Sequence, residues 1–161
     1  MIPPQEELYM RKILCAACLS ALFLTLSACG GGGEKAEFSP TDDARTLLDS
    51  PGVFGEALTE IDQSTACALY GIEETTVTES AVYGSTSSAE ELAIFTFSDE
   101  TSAQAAAQQF TYRVEDRRDE LENYLPDELP KLDSAIVEVR GNSALLVIAA
   151  DYGPVDVFLG N

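Results

Sequence analysis

The sequence contains no histidine, and its nine lysines and arginines face 28 aspartates and glutamates, for a formal net charge of −19. The first absence removes the commonest general base and the commonest transition-metal ligand. The second argues against a role on nucleic acid, whose phosphates such a surface repels, and against electrostatic binding to anionic lipid. Cysteine is also scarce, with four in the chain. Cys15 and Cys18 have the spacing of a redox pair but lie inside an apolar N-terminal run. Cys29 follows that run and Cys67 stands alone beyond it, so the chain past Cys29 has no partner for an intramolecular disulfide. Three motifs are missing as well: the Gly-x-Ser-x-Gly elbow of serine hydrolases, the Asp-x-Asp-x-Asp-Gly loop of calcium sites, and a glycine loop placed after a strand to hold phosphate.

What is present begins with Arg11 and Lys12, followed by an apolar run from Ile13 to Leu26 that only Ser20 and Thr25 interrupt. These are the charged and apolar regions of an export signal. About fourteen residues make roughly 21 Å of helix, short of the roughly 30 Å of bilayer hydrocarbon, so the run predicts a signal and not a permanent span. Leu26-Ser27-Ala28-Cys29 then resembles the bacterial lipobox. The resemblance implies cleavage between Ala28 and Cys29 and a diacylglyceryl group on the Cys29 thiol, which anchors the chain at the outer face of the cytoplasmic membrane. Gly30 to Gly33 would end a helix here and argue against a buried cysteine in an apolar helix. Translation begins at Met1 or at Met10, since Met10-Arg11-Lys12 is itself a normal signal start.

The expected organisation is a signal peptide over residues 1–28, a lipidated cysteine and flexible tether over 29–40, and one globular domain over 41–161. Glu6, Glu7, Arg11 and Lys12 leave with the signal, so the remainder keeps the net charge of −19. About 133 residues then remain, a length that suits one domain. Glu34, Lys35 and Glu37 keep the tether solvated, and eleven flexible residues reach on the order of 18 Å.

Within the domain, Thr41-Asp42-Asp43 predicts the start of a short helix carrying Ala44, Leu47 and Leu48, stopped by Pro51-Gly52. Asp62 suits the cap of a second short helix through Cys67, Leu69 and Tyr70 that ends at Gly71, with a strand as the alternative. From Val77 the period becomes two, with Val77, Glu79, Ala81 and Tyr83 on one face and Thr78, Ser80 and Val82 on the other. A polar loop, 84–90, separates this strand from Leu92-Ala93-Ile94-Phe95-Thr96-Phe97, and the two should form a hairpin. Ser98 or Asp99 caps a long helix, roughly 100–123, with apolar positions at Ala103, Ala107, Phe110, Val114 and Leu121, and Pro126 ends it. Strands over 135–139 and 144–150 flank Gly141-Asn142, and 152–159 either adds an edge strand, as Pro154 suggests, or trails off. The order predicts a two-layer α+β fold, an antiparallel sheet of about four strands under one long helix, plus short N-terminal helices.

Leu69-Tyr70-Gly71-Ile72, Ala89-Glu90-Glu91-Leu92-Ala93-Ile94-Phe95, Arg113, Tyr124-Leu125-Pro126-Asp127-Glu128 and Gly141-Asn142 before an apolar strand occur in that order. Together, over roughly Leu47 to Asp151, they resemble the bacterial lipoproteins carrying domain of unknown function 4358. The resemblance implies a lipoprotein of Gram-positive anaerobes with no catalytic residues to carry over. Ser143-Ala144 departs from the bulkier residues expected after that turn, which would trim a ligand surface if one lay there.

No constellation marks a catalytic site, a cofactor site or a metal site. Cys67, between Ala66 and Ala68, reads as a buried small hydrophobe and not a reactive thiol. Arg113 and Arg117, with Tyr124 nearby, form the candidate binding surface, because a guanidinium suits carboxylate or phosphate. Asp116, Glu120 and Glu122 at helical spacing favour plain ion pairs instead. Tyr70, Tyr83, Tyr112 and Tyr124 read more readily as half-buried core than as the floor of a binding patch. The expected function is a non-catalytic binding or interaction module of the cell envelope, with the membrane and an envelope protein as partners and no nucleic acid. The alternatives are a carboxylate-based envelope hydrolase and a calcium-binding envelope domain.

Overall fold

Leu92-Ala93-Ile94-Phe95 and Leu145-Leu146-Val147-Ile148 place apolar side chains at odd and even positions alike, the pattern of strands buried on both faces. The computed structural model describes Lys35–Asn161 and places these runs at the centre of its sheet. In chain order the elements are α1 (Pro40–Asp49), β1 (Thr59–Ile61), α2 (Gln63–Tyr70), β2 (Val77–Gly84), β3 (Glu91–Phe97), α3 (Glu100–Leu121), α4 (Leu129–Asp133), β4 (Ile136–Arg140), β5 (Ser143–Ile148) and α5 (Gly153–Leu159). The strands form one antiparallel sheet in the order β1-β2-β3-β5-β4. Residues Ala28 and Cys29, and the apolar run before them, lie outside the described residues.

The class is α+β, with an antiparallel sheet and one long helix packed on it, as the sequence predicts. The sheet has five strands, the fifth being the short β1, which the sequence reading left out. The two-layer expectation also omits a set of helices. Ala93, Phe95, Ala144, Leu146 and Ile148 face α2 and α3 through Ala66, Tyr70, Ala103, Ala106 and Phe110. On the opposite face Leu92, Ile94, Leu145 and Val147 meet Ala44 and Leu47 of α1 and Val155 and Leu159 of α5. The sheet therefore lies between two helical layers. Ala106 is buried where Ala107 was expected to be the core position.

Local chemistry explains the boundaries. Helix α1 starts on Pro40, one residue before the expected cap, because proline at the first helical position has no N–H to leave unpaired. The Ser39 N–H donates to Asp43 at 2.8 Å, and the Thr41 hydroxyl donates to Glu79 instead of capping the helix. Asp62 accepts from the Thr65 N–H and from the Ser64 and Thr65 hydroxyls, so residues 63–70 are helix and not strand. Asp99 caps α3 through the Ser102 N–H at 2.8 Å. Helix α3 stops at Leu121, and Pro126 opens a separate 3-10 turn, Pro126–Glu128. A register shift between Val77 and Glu79 turns Val77 to the α3 side together with Val82, away from Ala81 and Tyr83, with which plain alternation grouped it. Residues 152–159 are neither edge strand nor tail. Pro154 sits in the first turn of α5, where it is tolerated, and Val155 and Leu159, four apart, bury one face.

Residues 35–40, which the sequence reading gave to the tether, pack on the domain. Phe38 is buried, stacks on Phe158 with ring centroids 6.4 Å apart, and lies under the Arg140 guanidinium at 4.2 Å. Its N–H donates to Ser143 Oγ at 2.8 Å, and Glu37 accepts from the Asn142 N–H at 2.9 Å. Residues 35–40 therefore belong to the domain.

Two expected results follow from these caps. Gly71 closes α2 at φ +64°, where a Cβ meets only ordinary contact with Gln109 at 3.5 Å. Gly71→Ala therefore lowers stability by about 1–2 kcal/mol through backbone conformation alone, measurable as a shift in urea midpoint at unchanged slope. Hydroxyl and N–H donors from Ser64 and Thr65 hold Asp62 down to about 2, and the Ser102 N–H lowers Asp99. A carboxylate with a depressed folded pKa stabilises above its unfolded value and loses that contribution as pH falls through the folded one. Stability therefore drops between about pH 4 and pH 2. Asp62→Asn, which keeps an acceptor but has no proton to gain, shallows that drop in thermal melts; an unchanged slope contradicts the assignment.

Candidate functional site

The acids of this chain outnumber its bases by far, so each base that reaches the interior finds a carboxylate. Where β3 begins, two adjacent glutamates are buried, Glu90 at 1% and Glu91 at 3% exposure. Arg113 on α3 meets Glu91 in a two-pronged contact, Nε to Oε1 at 3.1 Å and Nη2 to Oε2 at 2.9 Å. The buried Tyr70 hydroxyl donates to the same carboxylate at 2.6 Å. Burial pulls the Arg113 pKa down, but the bond to Glu91 together with the charge of Glu91 and its neighbours leaves it raised. Burial, with Glu91 beside it, pushes Tyr70 well above the usual phenol value.

Glu90 is held separately. Lys131 from α4 donates to its Oε1 at 2.8 Å, and the Gly55 N–H donates to its Oε2 at 2.8 Å. A Cβ at residue 55 would stand 3.0 Å from that carboxylate, so glycine permits the approach. Lys131 also binds Glu128, whose other contact is the Ala89 N–H at 2.9 Å. Burial pulls Lys131 down, yet its bonds to Glu128 and Glu90 raise it overall. Glu56 accepts from the Ser85 and Ser87 hydroxyls, which hold it at about 2. Tyr152 joins α4 to the sheet by donating to Lys131 O at 2.8 Å and accepting from the Ala149 N–H at 3.1 Å. The cluster ties the turn between β2 and β3 to three other segments of the chain.

Of the candidate surface residues, Arg113 is committed to Glu91. Arg117 donates from Nη2 to Ser88 O at 2.8 Å and from Nη1 to Glu120 at 3.0 Å, while its Nε is buried without a partner. Tyr124 is 83% exposed. Arg118 pairs with Asp133 across the fold and not with a neighbour on its own helix. Tyr70 is core, Tyr83 half-buried and Tyr112 exposed. Cys67 is buried, and burial, with Glu74 nearby, raises its thiol pKa. Its alkylation should therefore be slow in the native state and fast in urea; rapid native labelling would show that α2 opens readily. Ser143 and Ala144 are fully buried. The Ser143 hydroxyl donates to Arg140 O at 2.7 Å while accepting from Phe38 N–H, so that position is interior and lines no ligand surface.

Two shallow depressions, of about 220 and 270 Å³, adjoin along the seam of α2 and α3 and share Gly71 and Gln109. Leu69 and Tyr112 stand exposed on the second. Among the described residues no three His, Cys, Asp or Glu side chains are grouped to hold a metal ion, and no helix is long and apolar enough to cross a membrane.

Sequence reasoning missed Glu90, Glu128, Lys131, Glu56 and Tyr152 as a cluster. The available signal was Glu90-Glu91 directly before a central apolar strand, since a buried carboxylate there demands a base from elsewhere in the chain. Searches of curated proteins and of solved structures find no match to this chain. A family model does match, over residues 53–149, a span that holds Glu56, Glu90, Glu91, Arg113, Arg117 and Lys131. That span exceeds half of the chain, which belongs to the family of the domain of unknown function DUF4358.

Proposed function

We propose that this chain is a lipid-anchored binding module of the bacterial cell envelope, held by a diacylglyceryl group on Cys29 at the outer face of the cytoplasmic membrane. It engages an envelope protein and performs no catalysis. The observation that carries this reading is Leu26-Ser27-Ala28-Cys29 placed directly after a charged start and an apolar run of signal length. The interior carboxylates support the non-catalytic part. Glu90 and Glu91 are shielded from solvent and each is paired with a cation, whereas acid and base roles need accessible carboxyls in contrasting environments.

Cys29→Ala should abolish palmitate labelling and move the protein from the membrane fraction to the soluble fraction, or leave it as uncut precursor. Labelling and membrane retention that survive the change contradict the reading. The partner is sought by crosslinking in intact cells. A protein captured by the wild type and lost in Tyr124→Ala, a change at an exposed side chain, marks an interaction module. Capture that is identical with Cys29→Ala removes any role for the anchor in recognition.

A further inference from the structure

The residues that follow the proposed anchor are stapled to one end of the sheet. Lys35 Nζ reaches Glu138 and Asn161, both at 3.3 Å, Glu37 takes the Asn142 N–H, and Phe38 is seated between Phe158, Arg140 and Ser143. Glu37 and Phe38 meet the Gly141-Asn142 turn that joins β4 to β5, while Lys35 lies beside Glu138 within β4 and Asn161 after α5. Strand β5 runs from Ser143 at this end to Ile148, which pairs with Glu91 at the other. Helix α3 begins just after Phe97, whose N–H bonds Asn142 O, and runs back to Arg117, which bonds Ser88 O. Its 22 residues make about 33 Å of helix. One end of the domain therefore carries residues 37–38 and the turn 141–142, with Lys35 beside the adjoining part of β4. The far end carries the β2–β3 turn, the Glu90–Lys131 cluster and Tyr124.

Six peptide units separate Cys29 from Lys35, and even fully extended they span at most about 20 Å. That is less than the length of α3, so a domain anchored at Cys29 cannot turn its far end to the lipid as easily as its near end.

We infer that the packed residues 35–38 act as an orienting staple, which sets the β4–β5 turn toward the headgroups and holds the β2–β3 turn and Tyr124 outward for a partner. The inference rests on the lipid-anchor reading, and the surface it assigns to the lipid is the near end. Attraction to anionic headgroups does not supply the orientation, because the domain is strongly acidic. The short reach and the stapled exit do.

The test uses the full chain, expressed in a bacterium, purified in detergent and reconstituted into phosphatidylcholine vesicles. Cys67→Ala removes the native thiol, and one fluorophore is placed through Thr41→Cys at the near end or through Asn123→Cys at the far end. Both positions are exposed. Quenching by a headgroup nitroxide lipid should be several-fold stronger at residue 41 than at residue 123. Lengthening the glycine run by about twenty glycine and serine residues should erase the difference, because the added reach lets the domain tumble. Floating vesicles with equal quenching at both positions, or a contrast that survives the longer tether, overturn the staple and leave the anchor intact. Protein that neither floats with the vesicles nor carries the mass of a lipid overturns both.

Discussion

Arg113→Ala is expected to lower folding stability by about 3–5 kcal/mol, the cost of leaving a buried carboxylate without its cation. Glu91 is 3% exposed and accepts two bonds from this guanidinium and a third from Tyr70, so water cannot replace what is lost. Replacing all three members with apolar groups, as Glu91→Leu, Arg113→Met and Tyr70→Phe together, should recover most of the deficit, since no charge is then stranded. A cost below about 1 kcal/mol for Arg113→Ala places the pair among solvated surface bridges and contradicts the burial argued above.

The same pair shows where the sequence was legible and where it was not. Strands β2 to β5, the long helix and the caps Asp62 and Asp99 follow from local rules, because alternation, N-cap chemistry and glycine at positive φ act within a few residues. The second helical layer was present in the sequence too, as two strands without a polar face, but a count of helices hid it. Residues 152–159 were misread because proline was weighed as a sheet-edge signal when it also suits the first turn of a helix. The buried carboxylates that Arg113 and Lys131 meet, Glu91 and Glu90, lie 22 and 41 residues away. Helical spacing offered Asp116 and Glu120 as nearer candidates, and no local rule ranks a distant glutamate above them. Tertiary burial decided, since a carboxylate at the head of a central strand must be satisfied by whichever base the fold brings to it. Among the arginines of α3 only Arg117, paired with Glu120, follows the helical spacing.

Phe95→Ala should be at least as damaging, about 3–5 kcal/mol, and for a different reason. Phe95 is fully buried on β3, the middle strand of the sheet. Its ring meets Tyr70 of α2 edge-on at 5.8 Å, Phe110 of α3 at 5.9 Å and Phe97 at 6.0 Å. Truncation removes the transfer free energy of the ring and opens a cavity between two helices and the sheet that backbone relaxation closes only partly. Against the roughly 5–15 kcal/mol that holds a domain of this size together, that loss brings the fold near its limit. With no tryptophan in the chain, unfolding is best followed by far-UV circular dichroism. Phe95→Leu, which refills part of the volume, should lose clearly less. Phe110→Ala combined with Phe95→Ala should cost less than the two changes added, because both empty the same space and the second finds fewer contacts left to remove. Full additivity instead means that the two rings pack independently. Helix α3 would then be held to the sheet by its small residues and the Arg113–Glu91 contact, with no shared aromatic centre.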